Sequence, residues 1–176
     1  MRCWAFVVFA ACTCTTSIIA QDAPKDSGAA VSPVQQNAWI SAGIGGGGAG
    51  GNGIAGVVSG WYAYGPYVVG ARASSGGPLF GGRQVREKAA LVGLRARSAH
   101  TFALIGVGGG TMNGWRSNGE QSGTRTTYGD EPSIAFAVEA GVTYYAIGIG
   151  LDVFGASNHR TSYAGIALAV QLGYLK

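Results

Sequence analysis

Charge is scarce in this 176-residue chain: Asp, Glu, Lys and Arg together make up 11% of it. A chain so poor in charge, and 47% apolar, does not read as disordered, because disordered segments are polar, charged and poor in aromatics. Cysteine is confined to Cys3, Cys12 and Cys14, so nothing downstream supplies a disulfide framework or a cysteine metal site. Histidine is limited to His100 and His159, and the cationic excess is only +4, scattered along the chain. Nucleic-acid binding wants a basic face or stripe, and none is present. What abounds is glycine, at 32 positions without the strict three-residue period of collagen. Together with aromatic and β-branched residues, it points to strands with tight bends or close backbone approach.

Residues 1–20 stand apart. Arg2 is their only charge, an apolar stretch follows from Cys3 to Ala11, and Ser17-Ile18-Ile19-Ala20 precede Gln21. A basic start, a short apolar core and a small residue at the end read as a secretory signal peptide cut after Ala20. Loss of Arg2 takes the net charge from +4 to +3. The apolar run is too short for an ordinary spanning helix of ~20 residues. Phe9-Ala10-Ala11-Cys12 leaves open a lipoprotein cut before Cys12, with Phe9 in place of the usual leucine. Residues 21–37, with Pro24, Pro33, Asp22, Lys25 and Asp26, read as a flexible linker, and 38–176 as one domain.

From Ala38 onward the pattern alternates, the sign of strands with two unlike faces. In the last strand Ile166, Leu168, Val170, Leu172 and Tyr174 oppose Gly165, Ala167, Ala169, Gln171 and Gly173. Before it, Tyr145, Ile147, Ile149, Leu151 and Val153 oppose Ala146, Gly148, Gly150 and Asp152. The same holds for Ile134, Phe136 and Val138 against Ala135, Ala137 and Glu139. Upstream, Ala90, Val92 and Leu94 oppose Arg95, Tyr67 and Val69 oppose Arg72, and Ile40 and Ile44 oppose Ser41 and Gly43. Eight strands result: Ala38–Gly47, Asn52–Tyr64, Pro66–Ser75, Val85–Arg97, Thr101–Met112, Ser133–Val142, Tyr145–Gly155 and Thr161–Tyr174. The second and fifth alternate poorly and are inferred from length and neighbours.

In a soluble sandwich the face away from the core would carry Lys, Glu, Thr and Ser. Here that face is glycine and alanine with isolated charges, which suits the crowded lumen of a narrow barrel whose large apolar side chains face lipid. Ile147, Ile149, Leu151, Ile166, Leu168, Val170 and Leu172 are then lipid-facing. Arg72, Arg95, Glu139 and Asp152 would meet inside as a charge network, two of each sign, since an unpaired buried charge is costly. The joins alternate too. Tight turns fall near Gly65, Ser98-Ala99 and Thr143-Tyr144, while glycine around Gly48, then Gly76–Gln84, Asn113–Pro132 and Ala156–Arg160, form longer polar loops. Tyr64, Tyr67, Tyr144, Tyr145 and Tyr174, with Trp39, Trp61 and Tyr62, gather at the short-turn side as an aromatic girdle. Competing readings are a membrane helix over Ser133–Ala156, an amphipathic helix over Glu87–Arg97, and a soluble periplasmic ligand-binding β-barrel.

On these residues the chain resembles the small eight-stranded outer-membrane barrels of the OmpA/OmpX type, and within them the short glycine-rich kind, from Ala38 to Lys176. The resemblance implies an all-β, antiparallel up-and-down transmembrane barrel in the cell outer membrane, with a periplasmic N-terminus, four extracellular loops and no enzymatic activity. It also implies contact with the barrel-assembly machinery, which reads a terminal aromatic residue. Here Tyr174 is followed by Leu175-Lys176, a departure from that pattern.

Few motifs point to chemistry. Gly43–Gly48 and Gly106–Thr111 lack the lysine and following helix of a phosphate loop, and no cofactor is expected. His100 and His159 fall at opposite ends of the strands and cannot share a metal site. His159 with Ser157 or Ser162 suggests a lipid-modifying enzyme, but no supporting carboxylate can be assigned from the sequence. Arg83, Arg86, Lys88, Arg116, Arg125 and Arg160 outnumber the loop acids Glu87, Glu120, Asp130 and Glu131, so outer-membrane lipid and lipopolysaccharide phosphates are the expected partners. Eight strands leave an interior that side chains fill, which argues against a general porin.

Overall fold

The computed structural model describes residues 36–49, 53–78, 83–117 and 125–174. The expected signal peptide and most of the linker lie outside the described residues. Eight strands follow in order: β1 (Gln36–Gly48), β2 (Ile54–Tyr64), β3 (Tyr67–Gly77), β4 (Arg83–Arg97), β5 (Thr101–Ser117), β6 (Arg125–Tyr144), β7 (Ile147–Ser157) and β8 (Ser162–Tyr174). Each pairs antiparallel with its sequence neighbours, and β8 pairs with β1, so the sheet closes into an up-and-down barrel. No helix occurs among the described residues; 133–156 and 87–97, the two stretches with helical alternatives, lie in β6–β7 and β4.

The register fixes the girth. A line of paired residues leaves β1 at Ala38, runs through Tyr62, Val69, Val92, Val107, Phe136, Gly155 and Ala164, and returns to β1 at Gly48. With eight strands, that stagger tilts them by about 40° to the barrel axis. A tube of this size is filled by its own side chains.

The faces point as the alternation predicts. Ile147, Ile149, Leu151, Ile166, Leu168, Val170 and Leu172 face outward, Leu168 being 64% exposed. Ala167, Ala169 and Gln171 face inward and are buried. The poor alternation of β2 and β5 also has a cause: both faces carry large side chains. Val57, Trp61, Phe102, Leu104 and Met112 point inward and fill the tube, while Val58, Tyr62, Ile105 and Val107 point outward.

Most strand bounds differ from expectation by one or two residues, and the larger departures lie in β5 and β6. The polar stretch 113–132 is mostly a β5–β6 ribbon, not a loop. It holds two irregularities, a register shift between Met112 and Gly114 and Pro132 within β6. Proline is tolerated because β6 pairs with β7 only from Ile134 onward, so Pro132 lacks a partner strand on that side. The third short turn is Tyr145-Ala146, with Tyr145 at a φ of 56°, so β7 starts at Ile147. Gly65 has the same role before Pro66, at a φ of 60°. Each short turn is tied to the next strand: Arg95 N donates to Pro66 O, Thr143 N to His100 O, and Gly173 N to Ala146 O.

Inward glycines make room for inward rings. A Cβ on Gly70 would lie 2.4 Å from Trp61 Cε3, whereas one on the outward Gly60 meets nothing nearer than 4.0 Å. Gly70→Ala is expected to cost ~2 kcal/mol and Gly60→Ala less than about 0.5 kcal/mol. Urea midpoints of the refolded barrel check this; equal costs would show that the lumen is not closely packed.

Candidate functional site

The lumen is built in three levels. At the short-turn end sits an aromatic plug. Trp39 and Trp61, each 3% exposed, stack with centroids 6.4 Å apart, and Phe102 tilts against Trp39 at the same distance. Both tryptophans were expected in the girdle. Their inward strand positions, paired across β1 and β2, place them inside instead.

Above the plug lie two buried carboxylates. Glu139 Oε1 accepts from Trp61 Nε1 at 2.7 Å and from Ser59 Oγ at 2.9 Å. Asp152, opposite Glu139 in the β6–β7 register, accepts from Ser41 Oγ at 3.2 Å. Hydroxyl and indole donors, not cations, answer these acids; no ion pair reaches either one among the described residues.

Higher still, Arg72 crosses the tube. From β3 its guanidinium grips Glu87 of β4 with two nitrogens, Nη2 to Oε1 at 2.9 Å and Nε to Oε2 at 3.2 Å. It also donates to two backbone carbonyls on the far wall, Phe136 O and Gly155 O. Its guanidinium carbon lies 5.7 Å from the Phe154 ring centroid. Ser74 and Tyr163 close the cluster by hydrogen bonding to each other and to Glu87. Arg72 and Glu87 are 3% and 2% exposed.

The structure thus places three of the four expected network residues, Arg72, Glu139 and Asp152, in the lumen, but Arg72 bonds neither acid. Arg95 is not among them. It sits half-buried at the short-turn mouth, donating from Nε to Gly65 O at 3.0 Å. Its replacement is Glu87, read from sequence as a loop acid. The clue was parity: Glu87 is an even number of residues from the inward Val85, Ala89 and Leu91.

Outside the tube, Tyr64, Tyr67, Tyr144 and Tyr145 are exposed near the short-turn end, with Tyr144 and Tyr145 packed edge to face at 4.6 Å. Tyr174 ends β8 beside Ala38. At the opposite rim, Asn158 Oδ1 accepts from the backbone of Arg160 and Thr161 and shapes the β7–β8 turn. The carboxylate that sequence could not assign is Glu131, 3.6 Å from His159 Nδ1 and 2.6 Å from Arg160 Nε. His159 Nε2 accepts from Arg160 Nε, while Ser157 and Ser162 bond each other at 2.7 Å. The hydroxyl-to-imidazole bond that a lipid-hydrolysing site would need is therefore not made. Along the β4–β6 extension, Arg83 donates to Tyr128 OH and lies over its ring, and Trp115 donates to Gln84.

Breaking the cross-tube bridge from one side is expected to be costly. Arg72→Met leaves Glu87 buried without its counter-charge, at about 3–5 kcal/mol. The Arg72→Met, Glu87→Met pair removes the orphan and is expected to recover much of that loss. A double-mutant cycle on urea midpoints reads the coupling; additive losses would show that the bridge contributes nothing as a pair.

No protein-family model matches the chain, and no curated protein matches it by sequence. Solved structures do. Neisserial surface protein A is 6% identical at a TM-score of 0.61, covering 78% of this chain and 96% of its own. Ail, the attachment invasion locus protein of Yersinia pestis, is 11% identical at 0.59, covering 80% and 99%. The N-terminal β-barrel domain of Pseudomonas aeruginosa OprF is 12% identical at 0.52, covering 80% and 99%. At such identities the likeness is one of fold: this chain is a closed eight-stranded antiparallel barrel of the kind found in small outer-membrane proteins.

Proposed function

We propose that the chain is an integral outer-membrane barrel with a structural or surface-interaction role, carried by the rim opposite the short turns. One observation supports the membrane reading above the rest. Every described strand turns large apolar side chains out of the tube, Ile44, Val58, Val69, Val92, Val107, Phe136, Ile149 and Leu168 among them, while Arg72, Glu87, Glu139 and Asp152 point in with the small residues and rings that pack the lumen. In water such a surface would be an aggregation liability. In hydrocarbon it is what a spanning barrel presents, and closure satisfies every strand edge. A soluble periplasmic barrel needs the opposite sense, with Ile166, Leu168 and Val170 in its core. The aromatic plug and the Arg72 crossing support a non-conducting wall, so the working surface is the rim. There the β4–β6 extension offers Arg83, Tyr128, Trp115 and Gln84, held together by hydrogen bonds. Biogenesis through the barrel-assembly machinery and contact with lipopolysaccharide belong to this reading.

Leu168→Arg tests it. In lipid vesicles the change is expected to destabilise the barrel by ~2–4 kcal/mol, because an arginine on the lipid face is costly near the midplane. The unheated protein should migrate differently from the heated one on a gel. A neutral Leu168→Arg with no heat-dependent shift would leave a soluble protein.

The Glu131–His159 pair favours a second reading, a lipid-modifying enzyme at the rim. Because His159 faces Arg160 and not a serine, His159→Gln is expected to leave the acylation pattern of outer-membrane lipids unchanged. Mass spectrometry of lipids from expressing cells checks this, and a changed acylation pattern would favour the enzyme.

A further inference from the structure

The outer wall is not uniform. On β6, β7 and β8 nearly every outward position is large, as with Ile134, Phe136, Ile149, Leu151, Ile166 and Leu168. On β2 to β5 the outward positions include Gly56, Gly60, Ala71, Ala73, Ala90 and Gly109. The result is a trough with three adjoining depressions. The one nearest the short turns, about 840 Å³, lies between Ile40, Tyr62, Val69 and Val92. It meets a middle depression of about 560 Å³ at Ile40, Gly60 and Ala90. That in turn meets an upper one of about 520 Å³ at Val58, Ala73, Lys88 and Thr111. Arg86 and Lys88 stand at the upper end, both outward and exposed, and neither forms an ion pair among the described residues.

We infer that this trough binds one acylated, phosphorylated membrane lipid, its chain lying along the small residues and its phosphate held by Lys88 and Arg86. The inference rests on the membrane reading above. Its dimensions agree with one leaflet. From Val92 to Arg86 the strand runs about 20 Å, which at the barrel's tilt covers about 15 Å of depth, half of a ~30 Å hydrocarbon core. Lys88 is the stronger clue. A lysine on the lipid face is costly unless its head reaches the interface, and a phosphate there turns the cost into a charge-assisted bond. Neutral polar groups flank the cations in register: Ser75 beside Arg86, and Thr111 beside Lys88. Asn113, also beside Arg86, is already turned to Asp130. A second copy of the chain is the poorer occupant. Two-fold packing on this face brings each copy's Lys88 and Arg86 toward the same cations of its partner.

The floor of the trough carries its own reporters. Trp39 and Trp61 line the lowest depression from within the wall. With Trp4 and Trp115 replaced by Phe, they are the only tryptophans in the full chain. The barrel is refolded into phosphatidylcholine vesicles containing an equal minor fraction of dibrominated phosphatidylglycerol or dibrominated phosphatidylcholine. Brominated chains quench nearby indoles. Quenching by the anionic lipid is expected to be roughly twofold greater, reflecting its enrichment at the cations. R86Q/K88Q should abolish the difference while keeping the heat-dependent gel shift. Equal quenching by the two lipids, or a difference that survives in R86Q/K88Q, would overturn the groove and leave the membrane reading intact. Quenching by both lipids that falls as protein density rises would assign the trough to a second copy and also overturn the proposal. If neither lipid quenches and no gel shift is seen, the membrane reading itself fails.

Discussion

The volume of the tube governs the rest of the molecule. Eight strands with this stagger enclose a space that side chains must fill without overfilling. Each inward position is therefore a trade against the positions across from it. Trp61 can point inward because Gly70 beside it and Gly106 nearby have no side chain to meet its ring. Phe154 can because Gly165 leaves its ring edge free, a Cβ there falling 2.7 Å from Cζ. The many glycines of this chain are thus not slack. On the inner wall they are the counterpart of large rings such as Trp61 and Phe154, and the alternation in the sequence is the trace of that exchange.

The same constraint explains what could and could not be read from the sequence. β6, β7 and β8 are legible because over most of its length each keeps its bulk on one side: Ile166, Leu168 and Val170 against Ala167 and Ala169. β2 and β5 hid their period because they supply the lumen's large residues as well as outward ones. Trp61 beside Tyr62, or Leu104 beside Ile105, gives two large apolar neighbours and no visible alternation. The tryptophans look like girdle residues in the sequence because an aromatic near a strand end reads alike whether it points in or out. Glu87 is hidden for a different reason. Flanked by Arg86 and Lys88, it reads as part of a charged loop, yet the three alternate faces like any strand. The pairing of Arg72 with Glu87, in preference to Glu139 or Asp152, depends on levels along the tube that no single strand's pattern encodes.

Polar groups inside the barrel are sorted by how they are answered. Arg72 is met by a carboxylate, two carbonyls and a ring, so its charge is held on both walls at once. Glu139 and Asp152 have only neutral donors, from Ser59, Trp61 and Ser41. The cation therefore braces β3 and β4 against β6 and β7, while the two acids are anchored within the middle of the tube. With Trp39, Trp61 and Phe102 closing the level below, the interior is packed by its own side chains. On the function proposed above, the working surfaces are the outer wall and the rim.

Those two surfaces differ in kind. The rim is made of hairpin ends, and its contacts are local: Asn158 caps its own turn, and Glu131 collects His159 and Arg160 from the neighbouring turn. Such groups can change without disturbing the closed sheet, which leaves the rim free to diverge. On the membrane reading the outer wall must stay apolar over most of its circumference, although hydrocarbon accepts any apolar side chain and demands no particular one. Where the wall departs from large apolar residues, at Gly60, Ala71, Ala73, Ala90 and Lys88, the departure is not required by the barrel. Their Cβ positions face outward, and Gly60 has space for a side chain. Generic lipid would be served as well by leucine or valine there. Small residues capped by two cations are a choice of shape and charge, and shape with charge is what distinguishes a particular lipid from solvent hydrocarbon.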